Sequence, residues 1–181
     1  MKFCIIGDGL VSLTLANALI KKGLSVDILS SKKNYKYDKT RTLGISKSNI
    51  DFFNDEVINI KKILWEITNI KIYTEKYSNK EVLEFNNKNG QIFSIIKNYK
   101  LLKILHDNLK KSKLAKIKSI TSYQDIVKEK YKLIFNCNSK HQITKKFFSN
   151  KIEKNYNSYA YTTTIKHRKL NNNTAFQNFT K

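Results

Sequence analysis

Proline is absent from this 181-residue sequence, and glycine occurs only five times, cysteine twice, and methionine and tryptophan once each. Acidic residues are also scarce, 14 against 35 lysines and arginines, which leaves a formal charge of +21. Arginine is nearly missing too, since Arg41 and Arg168 are the only two. That scarcity weighs against a nucleic-acid reading of the charge, because base-edge and phosphate recognition favours the planar bidentate fork of arginine. Lysine is instead spread along the whole chain among Asn, Ile and Tyr. These residues share AT-rich codons, whereas proline and most arginine codons are GC-rich, so a nucleotide bias in the source genome accounts for much of the composition. The charge reads first as a solvated lysine surface, ahead of an anionic membrane surface and of nucleic acid. No apolar run approaches the roughly 20 residues that a membrane span needs. The two cysteines, Cys4 and Cys137, lie in apolar, strand-like runs and read as core thiols. His106, His141 and His167 are scattered, and no Cys/His spacing resembles a metal site.

What is present points to a globular chain. Apolar residues make up 40%, with ten Tyr and ten Phe, enough for one domain with a core or one domain plus part of another. Residues 2–6 are apolar throughout and predict a buried strand. Gly7, Asp8 and Gly9 interrupt the apolar start, which therefore reads as strand and turn, not as a signal peptide. Residues 10–22 have helical spacing, with Leu13, Ala16, Leu19 and Ile20 on one face and Gly23 as the stop. Residues 24–29 predict a second strand. Strand, tight turn, helix, glycine and strand within about thirty residues make a βαβ unit.

Further along, residues 30–39 read as a polar loop and 46–54 as a short helix capped by Ser46 or Ser48. Residues 60–67 are apolar and ambiguous. Residues 70–74, 82–86 and 91–96 predict antiparallel strands with a turn at Asn89-Gly90. Residues 98–111 predict an amphipathic helix carrying Leu101, Leu102, Leu105 and Leu109. Short strands are expected at 115–120 and 126–130, a buried strand at 131–137, a longer strand at 156–166, a polar turn at 171–173 and a last strand from 175 to 179.

Gly7-Asp8-Gly9-Leu10-Val11-Ser12 is a G-x-G-x-x-S version of the dinucleotide fingerprint. Gly7 permits the tight turn, and Gly9 lets a pyrophosphate approach the backbone. The helix start around Leu10, Val11 and Ser12 offers free N–H groups and a partial positive charge. Alone the pattern is weak and admits a structural glycine turn. Between a buried strand and an apolar helix it has the context that the motif requires. An acid at the end of the second strand normally holds the adenosine ribose, and here that position is Ser30, with Asp27 mid-strand and less suited.

Further segments carry a resemblance. Residues 38–46, Asp-Lys-Thr-Arg-Thr-Leu-Gly-Ile-Ser, resemble the R-x-x-A-L-S segment of flavin-dependent aromatic hydroxylases related to para-hydroxybenzoate hydroxylase. Residues 95–102 resemble a V-x-N-x-x-L helix start, 131–139 an a-D-L-V-V-G-A-D-G strand, 156–166 a Y-x-x-x-A strand and 175–180 an A-x-Q-x-F-T segment. In order and spacing the chain is most similar to the N-terminal half of the ubiquinone-biosynthesis hydroxylase family. The resemblance implies FAD as cofactor, with Gly7, Gly9 and Ser12 at its pyrophosphate and Ser30 at its ribose. It places Arg41 toward the flavin or its phosphates; a surface cation in a polar loop is the lesser alternative, because one of only two arginines stands here. Asn138 and Ser139 stand where the family has Asp-Gly, and the family's later Gly-Asp-Ala stretch has no counterpart, the one Gly-Asp pair being Gly7-Asp8.

The expectation is therefore an α/β, Rossmann-like FAD-binding βαβ fold at residues 1–150, with a β-hairpin insertion near 70–96. Residues 151–181 would begin an incomplete, β-rich substrate domain. The expected function is an FAD-dependent ring hydroxylase of ubiquinone synthesis in truncated or split form, or a non-catalytic FAD-binding or scaffold subunit. Expected partners are a prenylated phenol or quinone precursor and a complementing C-terminal half or homologous subunit. The expected location is cytoplasmic, with peripheral contact at the inner membrane and no nucleic acid.

Overall fold

The structure, a computed structural model, describes residues 2–30, 37–75, 80–87, 90–119, 122–147, 152, 154–165, 168 and 172–180. Strand β1 (Lys2–Ile6) is almost wholly buried and forms the middle of a four-stranded parallel sheet. It pairs on one side with β2 (Ser25–Ser30) and on the other with β9 (Leu133–Asn136), while β8 (Ala115–Ser119) lies outside β2. The period-two geometry of a strand sends alternate side chains to opposite faces. Phe3, Ile5, Val26 and Ile28 therefore enter one core, and Cys4, Ile6 and Leu29 enter another.

The first core is closed by two helices, α1 (Leu10–Lys21) and α3 (Asn98–Lys111). Leu101, Leu105 and Leu109 recur every four residues, so they form one stripe that meets Leu13 and Ala16 of α1 over the sheet. Each such buried aliphatic side chain contributes on the order of 1.5–3 kcal/mol. The seam between the helices also holds a satisfied polar link. The buried Asn17 amide donates to Leu13 O at 2.7 Å and Leu105 O at 3.1 Å, and accepts from Asn108 at 2.7 Å. The second core is closed by α4 (Tyr123–Lys128) and α5 (Gln142–Phe147) through Ile126 and Ile143. The result is an α/β arrangement with a parallel sheet between two helical layers.

Two smaller sheets complete the fold. One has the order β3-β7-β4, formed by β3 (Thr42–Ser46), β7 (Phe93–Lys97) and β4 (Leu64–Ile67), all antiparallel neighbours. The other has the order β10-β5-β6, in which β5 (Asn69–Thr74) pairs antiparallel with β6 (Lys80–Asn86) and parallel with β10 (Thr174–Phe179). Between β3 and β4, α2 (Lys47–Phe52) begins at Ser46, whose hydroxyl accepts from Asn49 N at 3.3 Å, so Ser46 is the cap. A single π turn at Phe53–Val57 and a 3₁₀ turn at Lys61–Ile63 lead into β4, which resolves the ambiguous segment. Among the described residues, no helix is long and apolar enough to cross a membrane.

Several expectations are corrected. Residues 126–130 belong largely to α4 and its following turn: Ile126 N donates to Ser122 O at 3.2 Å, the i to i−4 bond of a helix, and Ile126 packs into the second core. Residues 154–165 form no strand; Tyr156, Tyr159 and Tyr161 alternate in places but lie exposed beside no partner strand. The strands at 70–74, 82–86 and 91–96 do not make one antiparallel set. The third, β7, sends Ile96 into the main core and so joins β3 and β4, while β6 is exposed along its whole length. The segment at 131–137 is an edge strand instead of a buried one, with Leu133 52% exposed. Strand β3 and helix α5 went unpredicted. Residues 31–36, Asn89, His167 and Asn171 of the predicted loop, turns and histidines lie outside the described residues.

A buried ion cluster sets the register of the parallel sheet. Asp27, in mid-β2 and 1% exposed, meets Lys2 Nζ at 2.7 Å, Lys118 Nζ at 2.7 Å and the Tyr131 hydroxyl at 2.7 Å. Burial pushes the Asp27 carboxyl up, but hydrogen bonds from Lys118, Lys2 and Tyr131 together hold it below the ordinary carboxylate range. A carboxyl depressed in the folded state stabilises above its unfolded value, and that stability is lost as pH falls through the lower folded value. Acid titration of urea stability is therefore expected to show a decline that begins below roughly pH 4 in the wild type. In Asp27→Asn that component should vanish, with a loss at pH 7 of about 2 kcal/mol, modest because both lysines keep partial access to water.

Candidate functional site

The carboxyl ends of β1, β2 and β9 come together at one edge of the parallel sheet, the place where open α/β sheets leave a crevice. Strand β1 ends in Gly7, whose N–H donates to Leu29 O at 2.9 Å and whose φ is +120°. A Cβ there would stand 2.9 Å from Ser12 Oγ and 3.4 Å from the Cys137 carbonyl. Two independent constraints, left-handed backbone and close approach, therefore demand glycine. Gly9 is different: it caps α1 in an extended conformation, and a Cβ there would meet nothing within 4 Å. The space beside Gly9 is open.

Helix α1 starts at Leu10, so the N–H groups of Leu10, Val11 and Ser12 lack the partners that an interior turn supplies. No acid lies in that first turn, and the positive end of the helix dipole is left unneutralised by its own side chains. Val11 is 70% exposed. Ser12 is fully buried, and its Oγ meets no partner at hydrogen-bond geometry. It lies near enough to Cys137 to pull that thiol's pKa down, although burial dominates and leaves it raised. The small third residue of the fingerprint thus serves the approach of α1 to β1, since Ser12 Oγ is the atom nearest the missing Cβ of Gly7.

Ser30 ends β2, and its buried hydroxyl donates to Asp8 Oδ2 at 2.7 Å. Asn138 follows β9. Its Oδ1 accepts from Lys140 N at 3.1 Å and its carbonyl from His141 N at 3.0 Å and Thr144 Oγ1 at 3.0 Å, so its polar atoms shape a turn that leads into α5. Arg41 is exposed, immediately before β3, and its carbonyl accepts from Asn98 N at 3.0 Å. An open apolar cavity of 560 Å³ lies between Leu10, Val11 and Thr14 of α1 and Leu43, Gly44 and Ile45 of β3.

The structure thus brings Gly7, Gly9, Leu10, Val11, Ser12, Ser30 and Asn138 to the sheet edge. Arg41 is joined to the start of α3, linked to the helix α1 head only through the cavity wall that β3 shares. Two residues were missed. Asp8 looked like a spacer between glycines, and only the Ser30 bond reveals a carboxylate at the end of β2. Asn98 Oδ1 is buried without a hydrogen-bond partner beside the Arg41 backbone. The sequence signal for it was its place as the N of the helix-start pattern.

Solved structures share this arrangement. Over 65% of this chain and 31% of theirs, p-nitrophenol 4-monooxygenase PnpA from Pseudomonas putida DLL-E4 matches at TM-score 0.54 and 13% identity. The chain has the fold of FAD-binding monooxygenases. HpxO of Klebsiella pneumoniae, solved with FAD and uric acid, matches at TM-score 0.51 and 15% identity over 65% of this chain and 30% of its own. The tetrameric form of 2-methyl-3-hydroxypyridine-5-carboxylic acid oxygenase matches at 0.54 and 15% identity over 65% and 31%. The chain spans under a third of the length of these monooxygenase-fold structures. No protein-family model matches it, and no curated protein matches it in sequence.

The two glycines should separate in a thermal melt. Gly7→Ala is expected to destabilise by roughly 2–4 kcal/mol through its φ and its contacts. Gly9→Ala should cost less than about 1 kcal/mol, because its added methyl meets no neighbour.

Proposed function

We propose that this chain binds FAD and forms the cofactor-binding part of an FAD-dependent aromatic-ring hydroxylase of the ubiquinone-biosynthesis type. The observation that carries the reading is the contrast between the two glycines. Gly7 is packed shut against Ser12 and Cys137, whereas Gly9 leaves open space at the head of a helix with no acid in its first turn. That combination fits the diphosphate of an adenine dinucleotide, which needs a close backbone approach and unpaired N–H donors. Fold likeness to structures such as HpxO with FAD supports FAD over a nicotinamide dinucleotide.

In this reading the N–H groups of Leu10, Val11 and Ser12 hold the diphosphate, while Gly7 and Ser12 keep α1 close to β1. Ser30 lies at the ribose end. Arg41 and Asn98 would face the cofactor beyond the α1 head, the exposed guanidinium toward its phosphates or flavin and the buried Asn98 Oδ1 accepting a hydrogen bond from one of its polar groups. Asn138 adds a backbone turn, its side chain being engaged by Lys140. The flavin, when bound, would supply the oxygen chemistry of ring hydroxylation. The protein's part is binding, orientation and exclusion of water. The proposed partners are a prenylated phenol or quinone precursor, a complementing C-terminal half or homologous subunit, and the surface of the inner membrane from the cytoplasmic side. A lysine-rich, arginine-poor surface supports lipid contact over nucleic acid.

Calorimetric titration with FAD and with ADP tests the cofactor. Gly9→Val is expected to weaken both by at least about tenfold, with only a small drop in melting temperature, because branched carbons would stand where the diphosphate lies. Equal affinity in wild type and variant would remove the proposal. Incubation with FAD, reductant and a prenylated phenol, read by mass spectrometry, then distinguishes two roles. Hydroxylated product assigns an enzyme, and FAD binding without product favours the non-catalytic subunit, for which the engagement of Asn138 in its own turn is the supporting observation.

A further inference from the structure

A second cavity lies away from the cofactor crevice, on the other face of the β3-β7-β4 sheet. Strand geometry sends alternate residues to opposite faces. Leu43, Ile45 and Ile96 line the 560 Å³ cavity beside α1. The pairs next to them in register, Thr42 with Lys97 and Trp65 with Ile95, line a separate pocket of 230 Å³. Lys62 and Ile63 of the 3₁₀ turn and Lys100 of α3 also line it.

We propose that this pocket binds a small aromatic anion, a single planar ring that carries an anionic group.

The charge comes from the lysines. Three ammonium groups line the pocket and no acid does. Among the described residues, none of Lys62, Lys97 and Lys100 has an ion pair or a hydrogen bond. Lysine is common on this surface, so the number alone decides little. The placement decides more. Lys97 is the N-cap of α3 and Lys100 lies in its first turn, which contains no acid. That end of a helix carries partial positive charge and disfavours cations. The two lysines are also three positions apart, where helix side chains are neighbours and like charges repel. An anion in the pocket offsets each of these repulsions.

The ring is called for by the rest of the wall. Ile63, Ile95 and Trp65 are apolar surface that a hydrated inorganic ion would leave uncovered. Trp65 is the single tryptophan of the chain and is 49% exposed. Its indole N–H donates to Asn172 O at 3.2 Å, so the ring is held in place. A fixed aromatic side chain is a platform for a second planar ring. The volume of 230 Å³ falls below the roughly 300–1,000 Å³ of pockets for drug-sized ligands. It therefore admits one ring and excludes a dinucleotide. Thr164 borders the pocket, and its hydroxyl donates to Thr40 O at 3.2 Å. The pocket thus stands apart from the α1 head, and its assignment does not depend on the dinucleotide reading.

Because Trp65 is the one tryptophan, its fluorescence reports this pocket. The 181-residue chain is titrated with benzoate, with benzamide, its uncharged counterpart, and with acetate, an anion without a ring. Benzoate is expected to change the fluorescence saturably and to bind at least about tenfold more tightly than either control. Lys97→Gln combined with Lys100→Gln should weaken benzoate by about tenfold. The same pair of changes should raise the melting temperature, because two cations leave the positive end of α3. Lys113→Gln removes a like charge just beyond the other end of α3 and should leave benzoate affinity unchanged. Trp65→Leu, followed by calorimetry, should weaken benzoate by about threefold or more. If the double variant fails to fold, Lys100→Gln alone decides against Lys113→Gln. Acetate equal to benzoate would overturn the proposal in favour of a diffuse lysine surface. Benzamide equal to benzoate would overturn it in favour of a merely apolar hole. An equal loss in Lys113→Gln, or no saturable response in wild type, would also overturn it. None of these results bears on FAD binding, which is read in its own titration.

Discussion

The parallel sheet depends on one buried carboxylate. Asp27 lies in the middle of β2, and through Lys2, Lys118 and Tyr131 it reaches β1, β8 and the lead into β9. An unpaired charge there would be costly, since burial alone pushes the carboxyl up. The three donors reverse the cost and in doing so choose a register, because only one alignment of four strands brings Lys2, Lys118 and Tyr131 to the same atom pair. Glu129 closes the outer side by meeting both lysines at 3.5 and 3.3 Å. In a chain with so large an excess of lysine, a few acids thus organise the fold, and most of the positive charge is left to the surface.

That register has a functional outcome. Once β1, β2 and β9 are aligned, their carboxyl ends deliver Gly7, Ser30 and Asn138 to one edge. The core and the site are therefore coupled by sheet geometry, with the ion cluster on one side of β2 and the ribose end of the proposed crevice three residues further on. Asn17 plays the corresponding part between helices. Its three hydrogen bonds fix how α1 sits on α3, and so where the α1 head points.

Much of this was legible in sequence because it is local. The strand–glycine–helix–strand start needs only an apolar run, two glycines and an i, i+4 pattern, and the leucines of α3 are equally plain. What could not be read is what depends on partners distant in sequence. Ile126-Val127 is as β-branched as a strand, and only the presence of the sheet above Ile126 makes it helical. Tyr159 and Tyr161 have the spacing of a strand, but among the described residues no strand pairs with them. Strand β7 looked like the third member of a hairpin because nothing local says that Ile96 belongs with the main core. At the site, the missing acid at position 30 read as a loss. The bond from Ser30 to Asp8 is a contact across 22 positions of sequence, which no short motif encodes.

Burial raises the pKa of both thiols, but the two differ in how deeply they are buried. Cys4 is sealed within the second core, and burial, with Asp27 next, pushes its pKa up to about 12. Thiolate is the reactive form, so an alkylating reagent at neutral pH meets an inert sulfur until the sheet opens. Cys137 is half-buried, and its backbone forms one wall of the Gly7 turn. The chain thus carries two built-in clocks. Modification of Cys137 times the breathing of the glycine turn, and modification of Cys4 times the opening of the sheet itself.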